Sequence, residues 1–370
     1  MQQILYDIQR HFKGIYSLLS ASMISFIGGL VIIKYEILLQ TPNKFQSFKF
    51  IVEIKTVEEF YIAFSISLAL GMIISLLFMI SSTVRKKKLL LSASVIHLLI
   101  FVSAYFKPTN LFSLILALVI GISISLVKMS IPLYIQILFQ NCDVGIFILI
   151  NLLFMNIGLL LGELLLKFDL VIIGLCHLTL ILNIFLSDAD RSTSSKCEII
   201  NDIVTNHKAW CSIILTIIYS LSGSFLEIRP TKLDNMFYSR SITMILVNIL
   251  AIDLWGRSIF LVTSNLLVMI ASGVRMSIGE TPTVRSFLIW TYSGGLYPIK
   301  ELFFMDLYPP VYSEYGMFIK CATEIASSIV FTKPEWDYKK SFAASFLLLL
   351  VSTLLYKEPS LTYKRYKIWE

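Results

Sequence analysis

Charge is scarce in this 370-residue chain: Asp, Glu, Lys and Arg make up 15% of it, against about 25% in an ordinary soluble domain. Groups that carry chemistry are scarcer still, with four histidines (His11, His97, His177, His207) and five scattered cysteines (Cys142, Cys176, Cys197, Cys211, Cys321). No CxxC pair or His-paired spacing occurs among them, which argues against a metal site or a disulfide framework. Neither GxSxG, nor HExxH, nor a phosphate-cradling Walker loop is present, so neither hydrolase chemistry nor an ATP-driven pump is suggested. The sequence gives no reason to expect an enzyme or a cofactor. Net charge is +7, but the basic residues sit in short loops between apolar runs, where they orient helices; no nucleic-acid role follows.

Hydrophobic residues are abundant. They account for 56% of the chain, mean hydropathy is +0.79, and the surplus lies in long uninterrupted runs. A helix that crosses hydrocarbon needs roughly 20 mostly apolar residues and must satisfy its own backbone hydrogen bonds. Twelve runs qualify, near 16–38, 58–82, 88–106, 110–138, 145–166, 169–187, 209–229, 236–253, 257–276, 283–306, 314–332 and 338–356. The sixth and eighth are short, and the eleventh contains Lys320 and Glu324. The first begins after Arg10 and Lys13 with no small-residue cleavage site behind it, so it is expected to be a retained span. The clusters Arg85-Lys86-Lys87-Lys88 and Lys364, Arg365, Lys367 place both termini on the cytoplasmic side by the positive-inside rule.

The longest polar stretch, 188–208, is rich in Ser, Thr, Asp and Asn and divides the spans six and six. The expected organisation is an N-terminal six-helix bundle over 1–187, a cytoplasmic linker over 188–208, a C-terminal six-helix bundle over 209–356 and a short tail over 357–370. The loop after the second span is basic, and the corresponding loop after the eighth reads Asp253-Leu254-Trp255-Gly256-Arg257. A tight turn between spans calls for glycine, and an Asp at one helix end can pair with an Arg across the turn.

At these residues the chain resembles the sugar porters of the major facilitator superfamily, whose interhelical loops carry D-R-x-G-R-R. Asp253, Gly256 and Arg257 match, and Ser258 departs. Ile131-Pro132-Leu133-Tyr134 is similar to the family's P-x-Y-x-x-E, followed by Gly145, Ile157 and Gly158. Gly28-Gly29 with Lys34-Tyr35-Glu36 resembles G-Y-D, and Ser220-Leu221-Ser222-Gly223 resembles Q-L-S-G. In the tenth span, Pro298-Ile299 and Asp306-Leu307-Tyr308-Pro309 resemble G-P-x-P-W followed by E-x-x-P, with Gly316 after them. The resemblance spans roughly 25–320. It implies an all-α polytopic membrane protein of the major facilitator fold, about twelve transmembrane helices in two six-helix halves, that moves a small solute by alternating access.

The resemblance also implies site residues, many of them altered. The family's pocket positions fall on Leu152, Ser220, Phe225, Glu301 and Glu324, where it has glutamine, glutamine, asparagine, tryptophan and asparagine; Tyr297 joins them beside the motif proline. A hexose needs several hydrogen-bond partners and an aromatic face, and few of the usual ones remain. Gating positions persist as Asp253, Gly256, Arg257, Asp306 and Arg85, while Ala117, Ile137, Val144 and Ser313 stand where the family has charge. Glu36 occupies the position of the proton carrier in proton-coupled members, and either pairs with Lys34 or Lys128 in that role or sits solvated at the outer mouth.

A charge at the bilayer centre costs about 2.5–3.5 kcal/mol on insertion scales and marks a pathway or an internal pair. Glu301 and Glu324 therefore either line the cavity and bind the solute or a cation, or pair internally with Lys300 or Lys320. Three functions stay open: a carrier of a hexose or related sugar, by uniport or proton symport; a carrier of the same fold for another polar or cationic solute; and a transport-dead membrane sensor. The implied partners are a small solute, protons and the lipid bilayer, with the plasma membrane as the default location.

Overall fold

A computed structural model of the protein describes residues 2–40, 57–81, 86–103, 110–139, 144–186, 235–279, 281–298 and 316–323, with isolated positions at 302 and between 343 and 350. The chain divides into two units, Met1–Ser192 and Thr193–Glu370.

Among the described residues the first unit shows six helices: α1 (Gln2–Gln40), α2 (Val57–Ser81), α3 (Lys86–Val102), α4 (Asn110–Leu138), α5 (Val144–Leu165) and α6 (Asp169–Ile184). These fall on the first six apolar runs, with one difference. Helix α1 begins at residue 2, fourteen residues before the apolar run, and its 39 residues reach about 58 Å at 1.5 Å per residue. Its apolar window, Lys13–Lys34, is itself long enough for the roughly 30 Å hydrocarbon core. Polar residues before Lys13 stay helical because Gln, Arg and Leu are good helix formers. Four described helices are long and apolar enough to cross a membrane, with windows at Lys13–Lys34, Phe112–Leu138, Val144–Gly162 and Ile259–Ile278.

Apolar side chains lie open on the helix surfaces as well as in the core, and polar ones are buried among them. On α1, Ser17, Ser20, Ser22 and Ser25 are buried, while Ile15 and Leu19 are about half exposed. On α6, Leu170, Leu178, Ile181 and Phe185 all lie open. Such a surface would aggregate in water; in lipid, apolar side chains face the solvent and polar ones turn inward.

Glycines set the helix crossings. A Cβ at Gly29 of α1 would strike the Met155 carbonyl oxygen of α5, and one at Gly158 of α5 would strike the Phe26 carbonyl oxygen of α1. The same arrangement recurs between α2 and α4: a Cβ at Gly71 meets the Leu118 carbonyl, and one at Gly121 meets the Leu68 carbonyl. Without strong hydrophobic attraction between helices in lipid, close backbone approach at small residues supplies the packing energy. The pairs α1–α5 and α4–α2 interchange if α1–α3 is exchanged with α4–α6, as expected of two inverted three-helix repeats within one bundle. Between the repeats lies an apolar core of Ile27 and Leu30 from α1, Ile100 from α3, Ile120 from α4 and Ile172 from α6.

The second unit is described over α7 (Asn235–Trp255), α8 (Arg257–Ile278) and α9 (Pro282–Thr291), which runs into a single π-turn, Tyr292–Leu296. Residues 316–323 are also helical. Gly256 joins α7 to α8 at φ 89°, ψ 141°, a conformation that costs little only for glycine. Gly279 ends α8 at φ 84°, its N–H donating to the Arg275 carbonyl. Thr281 then caps α9, its Oγ1 accepting from the Val284 N–H at 3.3 Å, with Pro282 as the first helical residue, where its missing N–H is harmless.

Candidate functional site

Each unit holds its own set of buried polar contacts. In the first, the Ser25 hydroxyl of α1 donates to Asn151 Oδ1 of α5 at 2.6 Å, four residues before the Gly29–Gly158 crossing. Asn151 precedes Leu152, the position the family resemblance selects. Leu152 itself is buried and takes part through its backbone, accepting from Asn156 Nδ2 at 2.9 Å.

A second group ties α3 to α6. Asn183 Nδ2 donates to Ser94 Oγ at 2.6 Å, and Ser94 donates in turn to the Leu90 carbonyl at 3.0 Å. Tyr16 of α1 donates to the Leu182 carbonyl at 2.7 Å. His97 lies one turn beyond Ser94, 1% exposed, with no hydrogen-bond partner for either ring nitrogen among the described residues. Nothing in the sequence pattern around His97 marks it as interior.

In the second unit the polar contacts converge on the π-turn. The Ser264 hydroxyl of α8 donates to the Thr291 carbonyl at 2.7 Å. Asn248 Nδ2 of α7 donates to the Gly294 carbonyl at 3.0 Å and to the Met244 carbonyl at 2.8 Å. The hydroxyls of Ser241 and Ser293 are 3.0 Å apart. The turn brings Tyr292 and Tyr297 together, ring centroids 5.8 Å apart and tilted by 42°. Tyr297, the one aromatic side chain expected in the pocket that falls in the described region, is half-buried immediately after the turn. Within the run 283–306 the structure places a π-turn, Tyr292–Leu296, just before Pro298.

Of the other expected gating positions, Gly256 is buried at the α7–α8 joint, with Asp253 in the last turn of α7 and Arg257 opening α8. The side chains of Asp253, Arg257 and Glu36 lie outside the described residues, as do Arg85, Ser220, Phe225, Glu301, Asp306 and Glu324 altogether. Lys320 is described: it sits in the helical stretch 316–323, only 3% exposed. An ammonium so enclosed at membrane depth is costly and is retained where it pairs or lines a pathway. Lys34 and Lys128, the basic residues considered as partners for Glu36, are both half-buried.

No protein-family model matches the sequence, and no curated protein matches it either. Solved structures do. The major facilitator proton:xylose symporter XylE bound to 6-bromo-6-deoxy-D-glucose is similar over 92% of this chain and 94% of that one, with a TM-score of 0.66 at 13% identity. The inward-open xylose transporter XylE from E. coli is similar over 98% and 100%, with a TM-score of 0.64 at 14% identity. FucP, a major facilitator transporter in the outward conformation, is similar over 93% and 98%, with a TM-score of 0.65 at 11% identity. The protein is accordingly an all-α polytopic membrane protein with the major facilitator fold. At such identities the likeness concerns the fold, and its neighbours are transporters.

Proposed function

We propose that the protein is a secondary carrier that moves a small polar solute, in the first instance a hexose or related sugar, across a membrane by alternating access. The observation that carries this reading is the fold likeness over more than nine-tenths of the chain to carriers that include a proton:xylose symporter. The organisation that goes with this reading is two six-helix bundles, 1–187 and 209–356, joined by the linker 188–208, the usual plan of this fold. The solute would meet Leu152, Ser220, Phe225, Tyr297, Glu301 and Glu324. Asp253, Gly256, Arg257, Asp306 and Arg85 would control the cytoplasmic gate, and Glu36 would carry the proton in a symport mechanism.

A second solute class is favoured by a specific observation. Leu152 is apolar where sugar porters carry glutamine, while two carboxylates stand at other pocket positions, an arrangement suited to a cationic or amino-bearing solute. Uptake of labelled glucose and xylose into proteoliposomes, with and without an inward proton gradient and with sugars and amines as competitors, tests both readings. Saturable sugar flux is expected, and flux that responds to the gradient assigns proton coupling. Competition by amines and not by sugars would transfer the assignment to the second class. Absence of any flux from folded protein would leave the transport-dead reading.

A further inference from the structure

The π-turn has an identifiable cause. Pro298 has no N–H, so the carbonyl four residues earlier, that of Gly294, has no α-helical donor, and the proline ring crowds that carbonyl. A π-turn relieves the crowding by adding one residue to the turn, and the Tyr297 N–H bonds to the Tyr292 carbonyl, five residues back. The Gly294 carbonyl takes its donor from Asn248 of α7 instead, and the Thr291 carbonyl receives one from Ser264 of α8. Both donors are buried and come from different helices. Glycine makes the approach possible: a Cβ at Gly295 would lie 2.5 Å from Ser264 Cβ and 2.8 Å from the Phe260 carbonyl, and one at Gly294 would lie 2.7 Å from the Met244 methyl.

We infer that Asn248 and Ser264 are positioning residues that hold the tenth span in its π register and so set the rotational phase of Tyr297 and Pro298, which follow the turn. Relaxation of a π-turn to α-helix removes one residue from the turn, which rotates the following segment by about 100° and shifts it about 1.5 Å along the axis. Tyr297 follows directly. In the register held by Asn248 and Ser264, residue 297 packs beside residue 292; in an α-helix the neighbour of 292 would be 296. The hydrogen-bond donors on α7 and α8 therefore select which side chains of the tenth span face the solute. This rests on the carrier reading only for what the phase is used for; the phase itself is a property of the second unit.

The test is intramolecular cross-linking in the full-length protein, with the five native cysteines replaced by alanine. Tyr292→Cys is combined either with Tyr297→Cys or with Leu296→Cys, and a short bifunctional thiol reagent is applied. The unaltered clamp is expected to cross-link 292 with 297 in preference to 296. Adding Asn248→Leu together with Pro298→Ala, which restores an N–H to the Gly294 carbonyl, is expected to reverse the preference. Ser264→Ala, which removes a single oxygen and leaves packing intact, is expected to reduce it about fivefold, the population change that goes with losing one net hydrogen bond of ordinary strength. Ser272→Ala, a buried hydroxyl two turns along α8, is expected to leave it unchanged. A preference for 296 with the clamp intact, or one that neither clamp variant alters, overturns the inference. Failure of sugar uptake with the cross-linking reversal still observed removes the carrier reading and leaves the register device in place.

Discussion

Two prolines, one in each unit, sit within apolar helical segments and meet opposite outcomes. Pro132 lies inside α4, which runs unbroken from Asn110 to Leu138. Pro298 follows a π-turn. Proline imposes the same loss of a donor and the same ring clash at both sites, so proline alone does not decide whether a membrane helix breaks. The residues ahead of it differ: Lys128-Met129-Ser130-Ile131 in α4, Tyr292-Ser293-Gly294-Gly295 in the tenth span. Glycine tolerates the altered backbone and allows neighbouring helices close, and Asn248 and Ser264 then supply donors to the displaced carbonyls. Helix α4 instead meets α2 backbone to backbone at Gly71 and Gly121. One unit thus holds its proline helix by backbone contact, and the other carries a π-turn to which side chains of neighbouring helices donate.

The sharpest way to break that contrast is at the backbone contact. Gly121→Ala places a Cβ against the Leu68 carbonyl and the Met72 nitrogen, none of which can move without the whole of α2. Overpacking of this kind costs about 3 kcal/mol or more, and the variant is expected to lose most of its folded yield in detergent or to melt far below the parent. Gly174→Ala on α6 has nothing within 4 Å of the added carbon and is expected to melt at or slightly above the parent temperature, since alanine favours helix by up to about 1 kcal/mol. Equal melting of the two variants would show that the crossing is looser than the geometry indicates.

A smaller effect is expected at the π-turn, and it should be graded. Gly295→Ala brings its Cβ against Ser264 Cβ and the Phe260 carbonyl, so the Ser264 hydroxyl loses its bond to Thr291; a loss of about 2 kcal/mol in thermal unfolding follows. Gly294→Ala meets only the terminal methyl of Met244, a flexible end that can swing aside, and is expected to cost about 1 kcal/mol at most. If Gly294→Ala proved the more damaging of the two, the donor from α8 would not be what secures the turn.

The sequence exposes the spans far better than it exposes their interiors. Run length is a coarse property that hydrocarbon thickness enforces, and the run at 110–138 coincides with α4 residue for residue. The N-terminal extension of α1 is missed because polar helix formers carry no hydropathy signal. The π-turn is not marked by hydropathy, because 283–306 reads as one run despite Arg285, Lys300, Glu301 and Asp306, although Gly294-Gly295 four residues and three residues before Pro298 is a readable warning once the lost donor is considered. Ser25, Asn151, Ser94, Asn183 and His97 are invisible to pattern reasoning for another reason. In lipid, serine and asparagine can hide among apolar residues without disturbing a hydropathy run, and only the packing shows which face they occupy.

The smallest expected effect sharpens the comparison from the other side. Ser25 and Asn151 form a buried interhelical hydrogen bond of 2.6 Å, shorter than the 2.7 Å bond between Ser264 and Thr291, yet it lies one turn from a glycine crossing that already fixes α1 against α5. A bond that closes an interface held by other contacts contributes little beyond its own net strength, which averages about 0.6 kcal/mol for such pairs in membrane helices. Ser25→Ala is therefore expected to lower stability by less than about 1 kcal/mol, and a double-mutant cycle with Asn151→Leu should return a coupling of about that average. Ser264→Ala has a similar hydrogen bond to lose, but the Thr291 carbonyl it leaves lies at the entry to the π-turn, whose register Pro298 favours by withholding a donor from the Gly294 carbonyl. Its loss of stability should exceed that of Ser25→Ala, and in a Pro298→Ala background the difference should shrink, because the span can then close its own hydrogen bonds. Bond length would rank the two sites the other way, so the measured order separates the strength of a contact from the structural need for it.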